Sequence, residues 1–290
     1  ERVFVRNTVY AMQDQDEHYA WSWPVESKTN SAGQVEHLAT VESGFGNMVH
    51  LKMRDDVGVA GILWPGAVSL MKYLDKTLGK KTFVGKRVLI LGGGSGYEGI
   101  SFAQIGAHVT LTDLDFVVPQ MQHNVDLNSE LILKNGGSVR VTDLGWGPEG
   151  WAKSQLSREA QGAQYDYIIL IECVYEIRTE KLLLWTLTKL KGTFFCSLGA
   201  RFNTDFEQEG EDIFFNAELF PMKIANLVHS EDTVDSQGCH VGRQGLPIFK
   251  VTEISPSDFQ NFMTIPLYIH TFTNIDYAAA ECPSPKSSAE

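Results

Sequence analysis

Cysteine is scarce in this sequence of 290 residues: there are four, Cys173, Cys196, Cys239 and Cys282, and no two form a CxxC pair. So few cysteines exclude a disulfide framework. Cys239 is followed by His240 but lacks further ligands at the spacing of a zinc site, so no metal is expected. Free thiols indicate a reducing compartment, and we therefore expect a cytoplasmic protein, with the nucleus as a further location.

Basic residues are outnumbered, with 24 Lys and Arg against 36 Asp and Glu and a formal net charge of -12. A dedicated nucleic-acid binder needs a positive field, so no nucleic acid is expected as a partner. A negative surface favours a basic partner, such as a lysine-rich protein segment. The sequence also lacks an apolar run of about 18 residues, so we expect no membrane span. A monomer is the favoured oligomeric state.

Internal repeats are absent too, and the middle of the chain instead alternates between apolar strand-like runs and segments with helical spacing. Such alternation is typical of βαβ units in a mostly parallel sheet with helices on both faces. The predicted fold is therefore α/β and Rossmann-like. Strands are predicted at 87–91, 108–112, 138–142, 167–171, 193–198, 247–253 and 263–271, and helices at 67–78, 97–105, 116–127 and 180–190.

Three segments are predicted along the chain. Residues 1–60 form an N-terminal extension, in which polar residues 13–35 indicate a long loop and alternating segments at 37–41 and 47–53 indicate a β-hairpin. Residues 61–275 form the main domain. Residues 276–290 are small and polar, which indicates a flexible tail.

The sharpest local feature is a glycine-rich turn. The apolar strand Val88–Leu91 runs directly into Gly92–Gly96, which reads GGGSG. A strand that ends in glycines and enters a helix places backbone N–H groups around a ligand. Asp113 ends the next strand, 21 residues after Gly92, where a carboxylate can accept hydrogen bonds from both ribose hydroxyls of a nucleoside. The pair predicts a nucleoside-containing cofactor.

Two cofactor classes compete for this turn. Residues 94–99 match GxGxxG, the dinucleotide fingerprint, but that match starts two residues after the strand has ended. With Gly92 as the first glycine, the third position is Tyr97, where a diphosphate-binding turn needs glycine for tight helix packing. S-adenosylmethionine has no phosphate, so the residues favour it over NAD. A glycine turn without any ligand stays open as a third interpretation.

Five motifs resemble, in order and spacing, those of the seven-β-strand, methyltransferase-like protein lysine methyltransferases. They are Gly61–Ala67 with its tryptophan, the glycine turn with Thr112 and Asp113, the segment 119–128 with two asparagines, Leu144–Gly147, and the strand-four segment 165–175. The resemblance covers roughly residues 58–272. It implies a methyltransferase domain at 61–275 with a seven-stranded sheet, S-adenosylmethionine as methyl donor and S-adenosylhomocysteine as product.

The resemblance also implies which residues bind the cofactor. Trp64 would pack near its methionine part, Asp113 would hold the ribose, and Leu114 would cover the adenine edge. Trp146 would lie against the adenine. The floor of the pocket would be shaped by three glycines, Gly92, Gly94 and Gly96. A role as core aromatics is the alternative interpretation of Trp64 and Trp146.

The same resemblance implies the acceptor channel. Glu172 and Tyr175 would line it where the acceptor amine meets the sulfonium methyl, which makes them the candidate catalytic residues, and Glu172 would also contact the cofactor. Tyr175 has an alternative interpretation as a buried tyrosine with a bonded hydroxyl.

Three positions depart from the family pattern. The acid before the glycine turn is Ile90 here, and the acid of the Leu-Asp-Trp-Gly motif is Gly145. The strand-four Asp is Glu172, whose extra methylene moves the carboxylate outward by about 1.5 Å. A related histidine methyltransferase branch resembles this sequence there, with Glu-x-x-Tyr.

The leading hypothesis is N-methylation of a protein side chain, with lysine as the acceptor and an unidentified protein as the partner. A histidine or a small amine is the alternative acceptor. A non-catalytic cofactor-binding module of the same fold and an NAD-dependent dehydrogenase also remain open, because fold alone does not settle function.

Overall fold

The computed structural model describes residues 25–29, 35–158, 164–173, 182–183, 185–187, 189–199, 248–254 and 267–275. These residues form two sheets. The first is a three-stranded antiparallel sheet made of β1 (Val25–Thr29), β2 (Val35–Glu42) and β3 (Met48–Met53).

The second sheet has seven strands in the order β6-β5-β4-β7-β8-β10-β9. The first five are parallel, whereas β10 runs antiparallel to both β8 and β9. The predicted mostly parallel, seven-stranded α/β fold is confirmed. Its strands are β4 (Arg87–Leu91), β5 (His108–Asp113), β6 (Ser138–Asp143), β7 (Gln164–Ile171), β8 (Lys191–Gly199), β9 (Ile248–Ile254) and β10 (Leu267–Ile275).

Helices connect and flank these strands. The described α-helices are α1 (Pro65–Leu78), α2 (Tyr97–Ala103), α3 (Val118–Leu127), α4 (Ser129–Lys134) and α5 (Gly147–Lys153). Short 3-10 segments lie at Asp55–Gly61, Lys80–Phe83 and Leu156–Arg158. The central strand β4 is almost entirely buried from Val88 onward, which explains its unbroken apolar sequence.

A cluster of aromatic rings joins the two sheets. Phe45, in the turn between β2 and β3, packs on Phe102 of α2 with ring centroids 5.4 Å apart. Phe83 contacts both Phe102 and Tyr167 of β7 at centroid distances of 5.0 Å. The N-terminal sheet is therefore part of the same hydrophobic core as the main sheet.

The interpretation of residues 13–35 as a loop is wrong for Val25–Thr29. This segment is β1, which pairs with β2 from Val25 opposite Ala39 to Thr29 opposite Val35. Four of its five residues are exposed, so it carries no alternating apolar pattern that would predict a strand. The predicted hairpin is present as β2 and β3, and β1 extends it.

The stretch Asp56–Leu78 is apolar enough, by length and composition alone, to cross a membrane. Its backbone is extended at Ile62 and Trp64, between the 3-10 segment and α1. Leu70 and Leu74 on α1 are completely buried in the core. Core packing thus accounts for the apolar composition of this stretch.

Two asparagines on the α3 side bind the backbone of β3. The Asn124 side chain accepts a hydrogen bond from Lys52 N–H at 2.7 Å and donates to Lys52 O at 3.2 Å. Asn128 makes the same pair of bonds to His50, at 3.0 and 2.7 Å. Asn124 also donates to Ser95 O at 2.8 Å, so one buried amide connects β3, α3 and the glycine turn.

Replacing Asn124 by Ala should destabilise the protein by about 2 kcal/mol or more, because the buried Ser95 carbonyl and the partly buried backbone groups of Lys52 lose their partners. Chemical denaturation measures this loss. The matched control is His123→Ala, an exposed position on the same helix, which should leave the free energy of unfolding nearly unchanged. Equal stability of the two variants would contradict the assignment of a structural role to the Asn124 amide.

Candidate active site

The glycine turn lies at the carboxyl end of β4 and leads into α2. Gly92 and Gly94 have φ angles of 65° and 48°, which favour glycine. A β-carbon on Gly92 would lie 2.5 Å from Cys173 Sγ, and one on Gly94 would lie 3.1 Å from Ala60 O. The turn therefore depends on glycine both for its backbone conformation and for its close contacts.

Asp113 holds this turn from the neighbouring strand. Its Oδ2 accepts a hydrogen bond from Gly94 N–H at 2.8 Å, and its Oδ1 accepts one from Leu114 N–H at 2.7 Å. Burial raises the pKa of Asp113, while these two backbone hydrogen bonds act in the opposite direction. Each carboxylate oxygen has a second lone pair, so Asp113 keeps acceptor capacity for ligand hydroxyl groups.

Two tryptophans and a leucine lie around the turn. The Trp146 ring, just before α5, has its Cζ2 atom 3.6 Å from the position that a β-carbon on Gly92 would occupy. Trp64 precedes α1, is partly buried, and donates its Nε1–H to Val59 O at 2.9 Å. Leu114, after β5, is 47% exposed. These side chains offer apolar surface beside the carboxyl edge of the sheet.

Glu172 follows the last residue of β7. Its backbone has a φ of 47°, the one positive φ among non-glycine residues in the described part of the chain. Its Oε1 accepts a hydrogen bond from Gly66 N–H at 3.0 Å, and a β-carbon on Gly66 would collide with the same oxygen. A left-handed conformation costs a non-glycine residue roughly 1–2 kcal/mol, and such strain is concentrated at functional sites.

The structure thus brings the glycine turn, Asp113, Trp146 and Glu172 to one edge of the sheet. Trp64 belongs to the same region, since the segments on either side of it reach Gly94 and Glu172. The candidate catalytic Tyr175 lies outside the described residues.

Glu98 is a further carboxylate at this edge that the sequence did not single out. It lies in the first turn of α2 and is only 7% exposed. Its Oε2 has no hydrogen-bond partner among the described residues. Burial raises the pKa of Glu98 to about 8, and the negative charges of Asp113 and Glu172 add to this rise. Its position in GxGxxG is one of the variable ones, so no motif signals it.

Asp143 also belongs to this edge, because it ends β6 directly opposite Asp113. Because Asp143 directly follows a predicted strand, the sequence could have predicted its position at this edge. Ile90, where the family carries an acid, is buried in the core with 1% exposure. In the described part of the chain, no group of three or more His, Cys, Asp or Glu side chains is placed to hold a metal ion.

Comparison with known proteins identifies the family. A family model described as lysine methyltransferase matches residues 47–217, which is more than half of the chain. The chain belongs to the lysine methyltransferase family. The predicted family, the methyltransferase activity class and S-adenosylmethionine as methyl donor are thereby confirmed.

Two sequence relatives agree with this result. EEF1A lysine methyltransferase 3 of Xenopus tropicalis is 31% identical over 171 residues, which cover 59% of this chain and 69% of that protein. Protein N-lysine methyltransferase METTL21A of Danio rerio is 36% identical over 138 residues, covering 46% of this chain and 56% of that protein. Among solved structures, the T. thermophilus 16S rRNA N2 G1207 methyltransferase aligns with a TM-score of 0.48 at 14% identity, over 83% of this chain and 51% of that chain.

Gly92→Ala should reduce affinity for S-adenosylhomocysteine more than tenfold, because the new methyl group meets Cys173 Sγ and displaces the turn. Calorimetric titration measures the change. Gly136→Ala is the matched control, since Gly136 has a φ of 76° but open space around it. That variant should lose only about 1 kcal/mol of stability and bind normally. Normal binding by Gly92→Ala would contradict the placement of this turn in the cofactor site.

Proposed function

We propose that this protein transfers the methyl group of S-adenosylmethionine to the ε-amine of a lysine in a protein substrate. The observation that carries the proposal is the meeting of the glycine turn, Asp113 and Glu172 at one edge of the sheet. The glycine turn and Asp113 suit the nucleoside of the cofactor, and Glu172 suits an incoming cation.

The residues fit S-adenosylmethionine in three respects. The turn consists of glycines at 92, 93, 94 and 96, which bring no side chain of their own toward a ligand. Asp113 retains acceptor capacity toward the ribose hydroxyls. Trp146 and Leu114 offer partly exposed apolar surface to the adenine. The bound cofactor supplies an activated methyl group: the amine lone pair forms the C–N bond while the C–S bond breaks and leaves its electrons on sulfur.

In this proposal Glu172 receives the lysine ammonium and orients it. The Gly66 N–H group fixes one oxygen of the carboxylate, so the side chain is already positioned before the substrate arrives. A lysine amine has a reference pKa of about 10.4 and must lose a proton before it attacks. The partly apolar walls disfavour the charged form, and the proton passes to water. Positioning at about 3–3.5 Å, in line with the methyl group, then supplies the rate enhancement.

The charge of the site favours lysine over histidine as the acceptor. Asp113 and Glu172 both lie close enough to Glu98 for their negative charges to raise its pKa. Lysine arrives as a cation near neutral pH, whereas histidine, with a reference pKa of about 6.5, is mostly neutral. The carboxylates of Asp113 and Glu172 therefore attract lysine selectively before any chemistry takes place.

Elongation factor 1A is the first substrate to test, since the relative from Xenopus tropicalis is named for it. The proposal places the protein in the cytoplasm or nucleus as a monomer, without nucleic acid or membrane as partner. The net charge of -12 supports a basic protein segment as the recognised surface.

Recombinant protein, supplied with radiolabelled S-adenosylmethionine, should label a polypeptide in a cell lysate and should label purified elongation factor 1A. Hydrolysis of the product and amino-acid analysis should recover the label in methyllysine. Recovery in methylhistidine would select the alternative acceptor, and label confined to small molecules would select a small-amine enzyme. Cofactor binding without any labelling would support a non-catalytic module.

Glu172→Ala should lower turnover by about 100-fold, because the acceptor amine loses its positioning. Affinity for S-adenosylhomocysteine should stay nearly unchanged, which separates the acceptor from the cofactor site. Turnover with the labelled substrate and calorimetric titration give the two values. Glu149→Ala, on the exposed face of α5, is the control with a carboxylate removed elsewhere. Normal turnover of Glu172→Ala would remove Glu172 from the mechanism.

Asp113→Ala should produce the opposite pattern. Affinity for S-adenosylhomocysteine should fall about 10- to 100-fold, because ribose hydrogen bonds to a charged acceptor are lost. Saturating cofactor should recover much of the turnover. Wild-type affinity in this variant would refute the ribose assignment.

A further inference from the structure

The first turn of α2 carries a carboxylate that no step of the proposed reaction uses. Glu98 is more than nine-tenths buried, and its Oε2 lacks a hydrogen-bond partner in the described part of the chain. A buried polar atom without a partner costs about 1–3 kcal/mol, and more when it is charged. A carboxylate retained in such a place needs a ligand to complete its hydrogen bonding.

The surroundings of Glu98 define what that ligand must be. The charged groups that act on it are Asp113, from the end of β5, and Glu172, from the end of β7, and both are acidic. Its neighbour Tyr97 donates its hydroxyl to Glu42 O at 3.1 Å, and burial raises the pKa of that hydroxyl, so it stays neutral. No basic side chain among the described residues compensates Glu98. A cation that also donates hydrogen bonds would satisfy Oε2 and offset the surrounding negative charge.

We propose that Glu98 is a cofactor-binding residue that accepts a hydrogen bond from the α-ammonium group of the methionine part of S-adenosylmethionine. This inference rests on the proposed cofactor site and assigns a further residue within it. Glu98 lies two residues after Gly96, the last glycine of the turn, and the charges of the ribose-binding Asp113 and the acceptor-side Glu172 both act on it.

The chemistry of the donor selects the ammonium group over the other cations available. A sulfonium carries no N–H group and so cannot satisfy an unpaired oxygen, whereas an ammonium offers three donors. A substrate lysine also offers an ammonium, but it must enter from solvent, and Glu98 is less exposed than the half-buried Glu172. The buried position suits a ligand that lies on the glycine turn.

Glu98→Gln tests this assignment with three probes of known charge. S-adenosylhomocysteine and S-adenosylmethionine both carry the α-ammonium, whereas methylthioadenosine contains the same nucleoside without it. The variant should bind the first two about tenfold more weakly than the wild type, because the charge-assisted hydrogen bond is lost. It should bind methylthioadenosine as the wild type does, which also shows that the pocket is folded. Glu149→Gln is the control and should bind all three normally.

A pH series gives a second readout that packing changes would not reproduce. The pKa of Glu98 is raised to about 8, so the empty site holds the proton near neutrality and a cation must displace it. Wild-type affinity for S-adenosylhomocysteine should therefore rise roughly tenfold from pH 6 to pH 7. The slope should be absent in Glu98→Gln and absent for methylthioadenosine.

The outcomes separate this inference from the proposed function. Failure of the wild type to bind either S-adenosylhomocysteine or methylthioadenosine would refute the cofactor site as a whole. Normal wild-type binding, with unchanged affinity of Glu98→Gln for S-adenosylhomocysteine, would overturn the inference alone. A variant that binds S-adenosylhomocysteine normally but shows a raised KM for the protein substrate would move Glu98 to the acceptor side and would also overturn it. Equal losses of affinity for all three probes would show that Glu98 acts only through the structure of the pocket, and would overturn the inference.

Discussion

The hydrogen bond from Gly94 N–H to the Asp113 carboxylate joins the two strand ends on which the pocket is built. One oxygen of Asp113 holds the turn after β4, and the other holds the start of the segment after β5. Because Gly94 has a left-handed backbone and little space beside it, the turn has few alternative conformations. The arrangement of Trp146, Glu172 and Glu98 around the turn depends on this fixed geometry.

Acidic groups dominate the site formed in this way. The negative charges of Asp113 and Glu172 both raise the pKa of Glu98, because like charges brought together in a buried place oppose ionisation. A positively charged ligand would offset this repulsion and favour the ionised carboxylates. Both substrates of a lysine methyltransferase carry positive charge, so the same negative field attracts the methyl donor and the acceptor lysine. The two ligands are distinguished by how deeply their binding groups lie in the pocket and by the hydrogen-bond donors that each ligand offers.

Much of this architecture follows from sequence patterns, and the exceptions have physical causes. The turn at Gly92 and the carboxylate of Asp113 were predictable because one βα unit fixes the spacing between them. The strand β1 was missed because an exposed strand has no apolar alternation. The helices α4 and α5 were missed because six or seven residues span less than two helical turns and show no periodicity. Glu98 had no signal, since its burial arises only when α2 packs against β4 and β5.

The two amides that bind β3 also affect how this protein meets other chains. The open edge of a strand normally presents unpaired N–H and C=O groups to which a further strand can add. At His50 and Lys52 both groups are already bonded, to side chains four residues apart, one on α3 and one directly after it. The side-chain amides of Asn124 and Asn128 thus make the hydrogen bonds that the backbone of a neighbouring strand would otherwise make. That stretch of β3 is closed to strand addition, and the N-terminal sheet is protected there against edge-to-edge aggregation.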